Sequence, residues 1–298
     1  MKIAIFGNTY AEQDRSAYLD FLNILAEYDC RISMEHDYYQ FLQEAQGIDL
    51  SEIEVISKNG DVNADYIFSI GGDGTLLRVV ERTAEYNIPV LGINVGRLGF
   101  LADCPIDEIR EMMEAINSGD IEIDERSLIH LTSTSEFDSN PYALNEIAIL
   151  KQDNSSMITI HCWIDGEYVN AYQADGLIIA TPTGSTAYSL SVGGPIMIPD
   201  SNSLIIAPVA SHSLSVRPLV ISFESKIVLK IQGRCRHYLA AIDGRSEVFD
   251  LTTELMIKKS GRKALLLKKK GYSFYNTLRN KLMWGADIRV TPPQGYHL

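Results

Sequence analysis

Two glycine-rich runs and one isolated pair hold most of the residues able to do chemistry. The first run is Gly71-Gly72-Asp73-Gly74-Thr75, entered from the apolar stretch Tyr66-Ile-Phe-Ser-Ile70 and followed by a helical pattern from Leu76. Glycines take backbone conformations closed to other residues and let a ligand approach the main chain. The helix beyond directs its free N–H groups and its positive dipole end at an anion. Gly71, Gly72, Gly74 and Thr75 therefore read as a phosphate seat. A carboxylate repels phosphate, so Asp73 must serve in some other way, by holding a ribose hydroxyl, carrying a metal ion, or accepting a proton from an attacking hydroxyl. The plain alternative is an aspartate that serves only the turn.

The second run, Thr181-Pro-Thr-Gly-Ser-Thr-Ala-Tyr188-Ser-Leu-Ser191, follows the strand-like stretch Asp175-Gly-Leu-Ile-Ile-Ala180. Thr183, Ser185, Thr186, Tyr188 and Ser191 gather several hydroxyls and N–H groups, a set suited to a sugar, an amide or a base edge. A helix cap at Ser185 or Thr186 accounts for one or two of them, not all. The pair is Asn145-Glu146, set in an apolar strand pattern. Burying an unpaired charge is costly, so Glu146 calls for ribose hydroxyls or a metal, unless the strand is exposed on one face. Several competing designs are absent: there is no Gly-x-Gly-x-x-Gly fingerprint, no Gly-Lys pair and no Gly-x-Ser-x-Gly elbow.

The elements that must position these residues change character along the chain. A buried-strand run at Lys2–Phe6, helical spacing at Tyr18, Phe21, Leu22 and Leu25, the strand entering Gly71, the run Val90-Leu-Gly-Ile93 and a helix between Pro105 and Gly119 alternate strand with helix. Such alternation predicts an α/β N-terminal domain with a parallel sheet. Ligands bind such sheets beyond the carboxyl ends of the strands, where Asp73 and the stretch Asn94–Gly99 fall. From about Arg126 short strand-like runs follow one another: 128–132, 157–164, 168–172, 177–180, 226–231 and 255–258. Asp165-Gly166 and Asp243-Gly244 suit tight hairpins, and this half reads as an all-β, sandwich-like C-terminal domain. The helical pattern returns over Tyr272–Trp284. We expect one domain over 1–125, with 275–298 packing back on it, a second over 126–274, and the active site between them. Lys268-Lys269-Lys270 reads as a solvated strand end without function.

Composition narrows the partners. The chain has 298 residues, 46% hydrophobic and 22% charged, with a net charge of −13 that argues against a nucleic-acid surface. A polyanionic ligand would need local backbone N–H groups, arginines and a divalent cation. Cys30, Cys104, Cys162 and Cys235 form no Cys-x-x-Cys pair and read as reduced thiols. The histidines lack metal-ligand spacing. Neither a secretory signal nor an apolar stretch of about 18 residues is present, so no membrane partner and a cytoplasmic setting are expected.

The residues resemble the NAD kinase family. Gly71–Thr75 is similar to its first motif, Asn145-Glu146 to its second and Thr181–Tyr188 to its third; Gly92–Phe100, Ser191–Ile196, His212–Pro218 and Phe274–Trp284 resemble further family segments. The resemblance implies phosphorylation of the 2′-hydroxyl of the adenosine ribose of NAD by ATP with a divalent cation, Mg²⁺, and a homodimer or homotetramer. It implies Asp73 as proton acceptor, Gly74 against the dinucleotide and Arg78 near the substrate phosphates. It further implies Asn145 and Glu146 at the adenosine part, Asp175 at the far end of the dinucleotide, and Thr186, Ala187, Tyr188 and Ser191 as walls. Arg245 stands at a position that differs among family members.

Overall fold

The structure, a computed structural model, describes residues 1–10, 15–96, 99–152 and 157–285. The first half runs β1 (Lys2–Gly7), α1 (Arg15–Glu27), β2 (Arg31–Glu35), α2 (His36–Gln40), β3 (Glu54–Ile56), β4 (Tyr66–Ile70), α3 (Asp73–Thr83), β5 (Val90–Asn94), the two-residue β6 (Cys104–Pro105) and α4 (Ile109–Ser118). The strands β3-β2-β1-β4-β5 lie side by side, all parallel, with Ile5 opposite both Met34 and Phe68, and Ile70 opposite Ile93. Helices cover both faces, which explains why β5 is buried throughout. On one side Tyr18, Phe21 and Leu25 of α1 join Met112 and Met113 of α4 against Ile3, Phe68 and Leu91. On the other, α3 buries Leu76, Val79, Val80 and Thr83, the residues its helical spacing predicts.

The second half runs β7 (Ile121–Ser133), β8 (Tyr142–Ala143), β9 (Glu146–Lys151), β10 (Ile158–Ile164), β11 (Glu167–Ala174), β12 (Gly176–Ala180), the single turn α5 (Tyr188–Ser191), β13 (Ser203–Val209), β14 (Leu219–Ser222), β15 (Ile227–Gln232), β16 (His237–Ile242), β17 (Arg245–Asp250), β18 (Leu255–Lys269) and α6 (Phe274–Leu282). One antiparallel sheet has the order β14-β13-β12-β9-β16-β17. It faces a layer containing β11, β10, β15, β18 and β7. Ile129, Leu131, Ile160, Leu229 and Ile257 on one side meet Ile147, Ile149, Leu177, Ile179 and Tyr238 on the other in one apolar core. The mostly parallel N-terminal sheet and the antiparallel C-terminal sandwich are the predicted fold class. Asp165 and Asp243, both at positive φ, and the glycines after them close the expected hairpins.

Strand β18 differs from its sequence reading. The short strand expected at 255–258 continues for 15 residues. Its C-terminal end joins the parallel sheet beside β5, with Leu266 opposite Val90. The apolar run Ala264-Leu-Leu-Leu267 makes this possible, because only such a segment can enter a sheet covered on both faces. Strand β7 runs antiparallel to β18 along nearly its whole length and passes without a break through Arg126, where the texture of the sequence changes. The pairing is interrupted once: Lys259 faces Ile129 and Lys263 faces Ser127, so Ser260–Arg262 stand opposite the single Leu128. Lys268, read as solvated, is only 4% exposed. Among the described residues no helix is long and apolar enough to cross a membrane.

Candidate active site

Asp73 opens α3 directly after β4, with Gly72 as the N-cap in extended conformation. The first backbone bonds of the helix run from the N–H groups of Thr75 and Leu76 to the Gly72 carbonyl, so the N–H groups of Asp73 and Gly74 lie ahead of the helical ladder. A side chain at Gly72 or Gly74 would meet open space. That space is a cleft of about 440 Å³ bordered by Asn8, Thr9, Asp37, Gly72, Gly74, Thr75 and Arg78. The glycine turn therefore presents backbone to a cavity, the arrangement an anion seat needs.

The Asp73 carboxylate turns from this cleft toward the loop after β5. Oδ2 accepts the Phe100 N–H at 2.8 Å, and Oδ1 accepts those of Leu101 at 3.0 Å and Ala102 at 2.9 Å. Gly99 is required here, because a Cβ on it would run into this carboxylate. Three donors fix the orientation of Asp73, while Oδ2, with one bond, keeps room for another.

A second carboxylate repeats the pattern. Asp243, at the β16–β17 turn, accepts the N–H groups of Leu144 at 2.6 Å, Asn145 at 2.9 Å and Glu146 at 3.0 Å. Burial raises the Asp243 pKa against the pull of these three donors. The segment so held carries the Asn145-Glu146 pair. Asn145 Oδ1 and Glu146 Oε2 are sealed from solvent and have no hydrogen-bond partner. Burial, helped by the neighbouring Asp243 charge, pushes the Glu146 carboxyl up to about 7, although the Tyr188 N–H donates to it.

The Thr181–Ser191 turn closes on the same segment. Thr181 donates its N–H to the Asn145 carbonyl at 2.9 Å and its hydroxyl to the Leu144 carbonyl at 2.5 Å. A Cβ at Gly184 would collide with the Asn145 carbonyl, so the motif glycine permits this approach. Ser185 is not a helix cap: its hydroxyl donates to the Pro182 carbonyl and accepts the Met197 N–H, knitting the turn together. Thr186 and Ser191 donate back to Thr183 and Tyr188 carbonyls, and the Tyr188 ring is exposed. Ala187 lies between the 3-10 turn of Thr183–Thr186 and α5.

The two halves meet through apolar contact. Leu76 and Leu101, neighbours of the Asp73 assembly, pack in one cluster with Leu144, next to Asn145. Arg245 adds a polar tie, with its guanidinium 2.5 Å from Glu81 of α3 and donating to the Asn140 and Tyr142 carbonyls. Arg78 borders the glycine cleft but is braced by Glu35 Oε1 at 2.9 Å and the Gly7 carbonyl at 2.6 Å. On α6, Lys281 lies within electrostatic reach of Asp103 and Asp73, and burial lowers its pKa. The rest of the expected 275–298 segment, 286–298, lies outside the described residues, as do Arg97 and Leu98 of the Gly92–Phe100 stretch.

Asp175 is the one residue of the set that the fold does not bring to this group. It pairs with Lys151 at 2.7 Å, at the opposite end of β12 from Thr181, roughly 20 Å away at the rise of a strand. Asp243 is visible in the sequence only as a hairpin aspartate, and Gly99 only as part of the stretch Asn94–Gly99 at the end of β5, without its contact to Asp73. No group of three or more His, Cys, Asp or Glu side chains among the described residues is arranged to hold a metal.

The family model described as the ATP-NAD kinase N-terminal domain matches residues 3–121, and the ATP-NAD kinase C-terminal domain model matches 144–268. The NAD kinase of Bacteroides fragilis is 45% identical over 291 residues, spanning 97% of this chain and 100% of that protein. The NAD kinase of Cytophaga hutchinsonii is 38% identical over 291 residues, with the same shares covered. Among solved structures, yeast NADH kinase complexed with NADH superposes with a TM-score of 0.85 at 23% identity, covering 98% of this chain and 89% of that one. At that identity the likeness speaks for the fold. An NAD kinase from Archaeoglobus fulgidus in complex with ATP gives 0.69 at 26% identity, covering 95% and 98%. With both domain models matched in order and the curated relatives aligned nearly end to end, this chain belongs to the NAD kinase family.

Proposed function

We propose that this protein transfers the γ-phosphoryl group of ATP to the 2′-hydroxyl of the adenosine ribose of NAD, with Asp73 as the proton acceptor. The observation that carries the reading is the placement of Asp73. A carboxylate fixed by three N–H groups stands at the start of α3 beside an open glycine cleft. Phosphoryl transfer demands positioning and charge neutralisation more than covalent participation by the protein. Arg78 approaches the phosphates of NAD, and the N–H groups of the glycine turn and the dipole of α3 neutralise the ATP phosphates. A divalent cation on those phosphates would supply further neutralisation. As the 2′-oxygen bonds to the γ-phosphorus and the bond to the departing ADP breaks, Asp73 Oδ2 takes the hydroxyl proton. The unpaired Asn145 Oδ1 and Glu146 Oε2 supply acceptors for adenosine and ribose donors, and Ala187, Tyr188 and Ser191 flank them. Asp175, remote within one chain, has no part in this single-chain grouping.

Exposed Leu214, Leu219 and Val220 on and beside the edge strand β14 support self-association as a homodimer or homotetramer. Four free cysteines support a reducing, cytoplasmic setting. Purified protein incubated with NAD, ATP and Mg²⁺ should yield NADP, read with an NADP-specific dehydrogenase. Asp73→Asn should lower turnover about 10²-fold or more while leaving NAD binding nearly intact. Undiminished turnover removes the proton-acceptor role. NAD binding without turnover by the unmutated protein would make it a dinucleotide sensor.

A further inference from the structure

The basic run after the apolar stretch of β18 divides. Lys269 and Lys270 reach Glu111 and Asp120 at the surface, whereas Lys268 is buried. Its side chain lies on the face of β18 shared with Leu266, which packs with Leu76 and Leu101. The ammonium donates to Asp103 Oδ1 at 2.7 Å and to the Leu101 carbonyl at 3.1 Å, and lies 4.8 Å from the centre of the Tyr272 ring. A buried ammonium persists only with such partners.

Both acceptors belong to the segment that holds Asp73. Leu101 donates its N–H to Asp73 and receives Lys268 on its carbonyl. Asp103 follows Ala102, whose N–H is the third donor to Asp73. Besides Asp73, this segment is held by the packing of Leu101 with Leu76 and Leu144, by the burial of Ala102, by the short pairing of Cys104 with Ile93 of β5, by a Gly99 N–H bond to the Ala102 carbonyl at 3.1 Å and by a long Asn94 amide contact to the same oxygen at 3.4 Å, none of them ionic. Lys268 thus gives the loop its one ion pair among the described residues, through Asp103.

We propose that Lys268 is a positioning residue for phosphoryl transfer: it anchors residues 101–103 from β18, so that their N–H groups hold the Asp73 carboxylate in line with the acceptor hydroxyl. The inference rests on the reading of Asp73 as proton acceptor. Displacing a reacting group by about 1 Å can cost about 10²-fold in rate, so a loosened loop should slow chemistry and spare substrate binding.

The test is a double-mutant cycle of Lys268→Met with Asp73→Asn, following kcat, the Michaelis constant for NAD and the melting temperature. Lys268→Met should lower kcat by about 10- to 50-fold with the Michaelis constant within about 3-fold. In the Asp73→Asn background the same change should cost less than about 3-fold, because the group it positions is already disabled. Full, independent losses in both backgrounds, or a kcat unchanged by Lys268→Met, would overturn the inference while leaving Asp73 in its role. Undiminished turnover of Asp73→Asn alone would instead remove the reading beneath it. If Lys268→Met does not fold, Asp103→Asn weakens the same anchor from the half-buried loop side and is judged by the same criteria.

Discussion

Asp73 and Asp243 each grip three successive N–H groups of another segment, and each does so beside a residue assigned to the reaction. A carboxylate used in this way orients backbone as firmly as a short helix cap, and the held backbone in turn fixes the carboxylate. Glu146 lacks that support, and its raised pKa has a consequence for stability. Its carboxyl titrates near 7 in the fold and near about 4.3 in an unfolded chain. The folded protein therefore holds this proton more tightly. The associated stability is complete below about pH 4, declines as pH rises, and is gone above about pH 7. Glu146→Gln, neutral throughout, escapes that decline. Its melting temperature relative to the parent should be more favourable at pH 8 than at pH 5; an equal difference at both pH values would contradict the burial of this charge. Glu146 was legible in the sequence because an acid interrupts an apolar strand pattern. Lys268 was not, because a lysine at the end of a basic run reads as solvated until the acceptors Leu101 and Asp103, far away in the chain, are seen beside it.

Among the elements, α3 carries the most functions. Its N-terminus forms the glycine seat, its inner face joins the core, and Glu81 near its end meets Arg245 from the β16–β17 hairpin. Burial raises the Glu81 pKa despite this partner, so the desolvated carboxylate depends on the guanidinium. Arg245→Ala removes that partner and two carbonyl contacts. It should destabilise the protein by about 1–3 kcal/mol, measured by urea unfolding; a change below about 0.5 kcal/mol would class the pair with surface ion pairs. The longer helices α1, α3, α4 and α6 and many strands are readable because each has its own apolar period, as at Tyr18, Phe21 and Leu25 or in Leu177–Ala180, whereas the short α2 and α5 and the strands β2, β3, β13 and β14 are not. The partners of a strand are set by segments distant in sequence, and no local period records them. That is why β18 was recognised only at its beginning.

At the scale of the whole molecule, β7 and β18 belong to both halves. A linker would let the halves unfold separately; a strand pair that completes the sandwich core and also lies against the parallel sheet ties their stabilities together. Thermal unfolding should therefore give one calorimetric transition with matching calorimetric and van't Hoff enthalpies. Two resolved transitions would show that the shared strands do not couple the halves. The interruption at Ser260–Arg262 bears on how this shared strand tolerates change in length. Three residues against one leave a surplus of two, an even number, so side chains alternate in phase on either side of the bulge. Loss of a pair of residues there would preserve which face Leu266 and Lys268 occupy. Loss of one would exchange them with Leu265 and Leu267, carrying the ammonium away from Asp103 and to the opposite side of the sheet. The parity of this short segment, more than its composition, keeps the far end of β18 in register with the loop that holds Asp73.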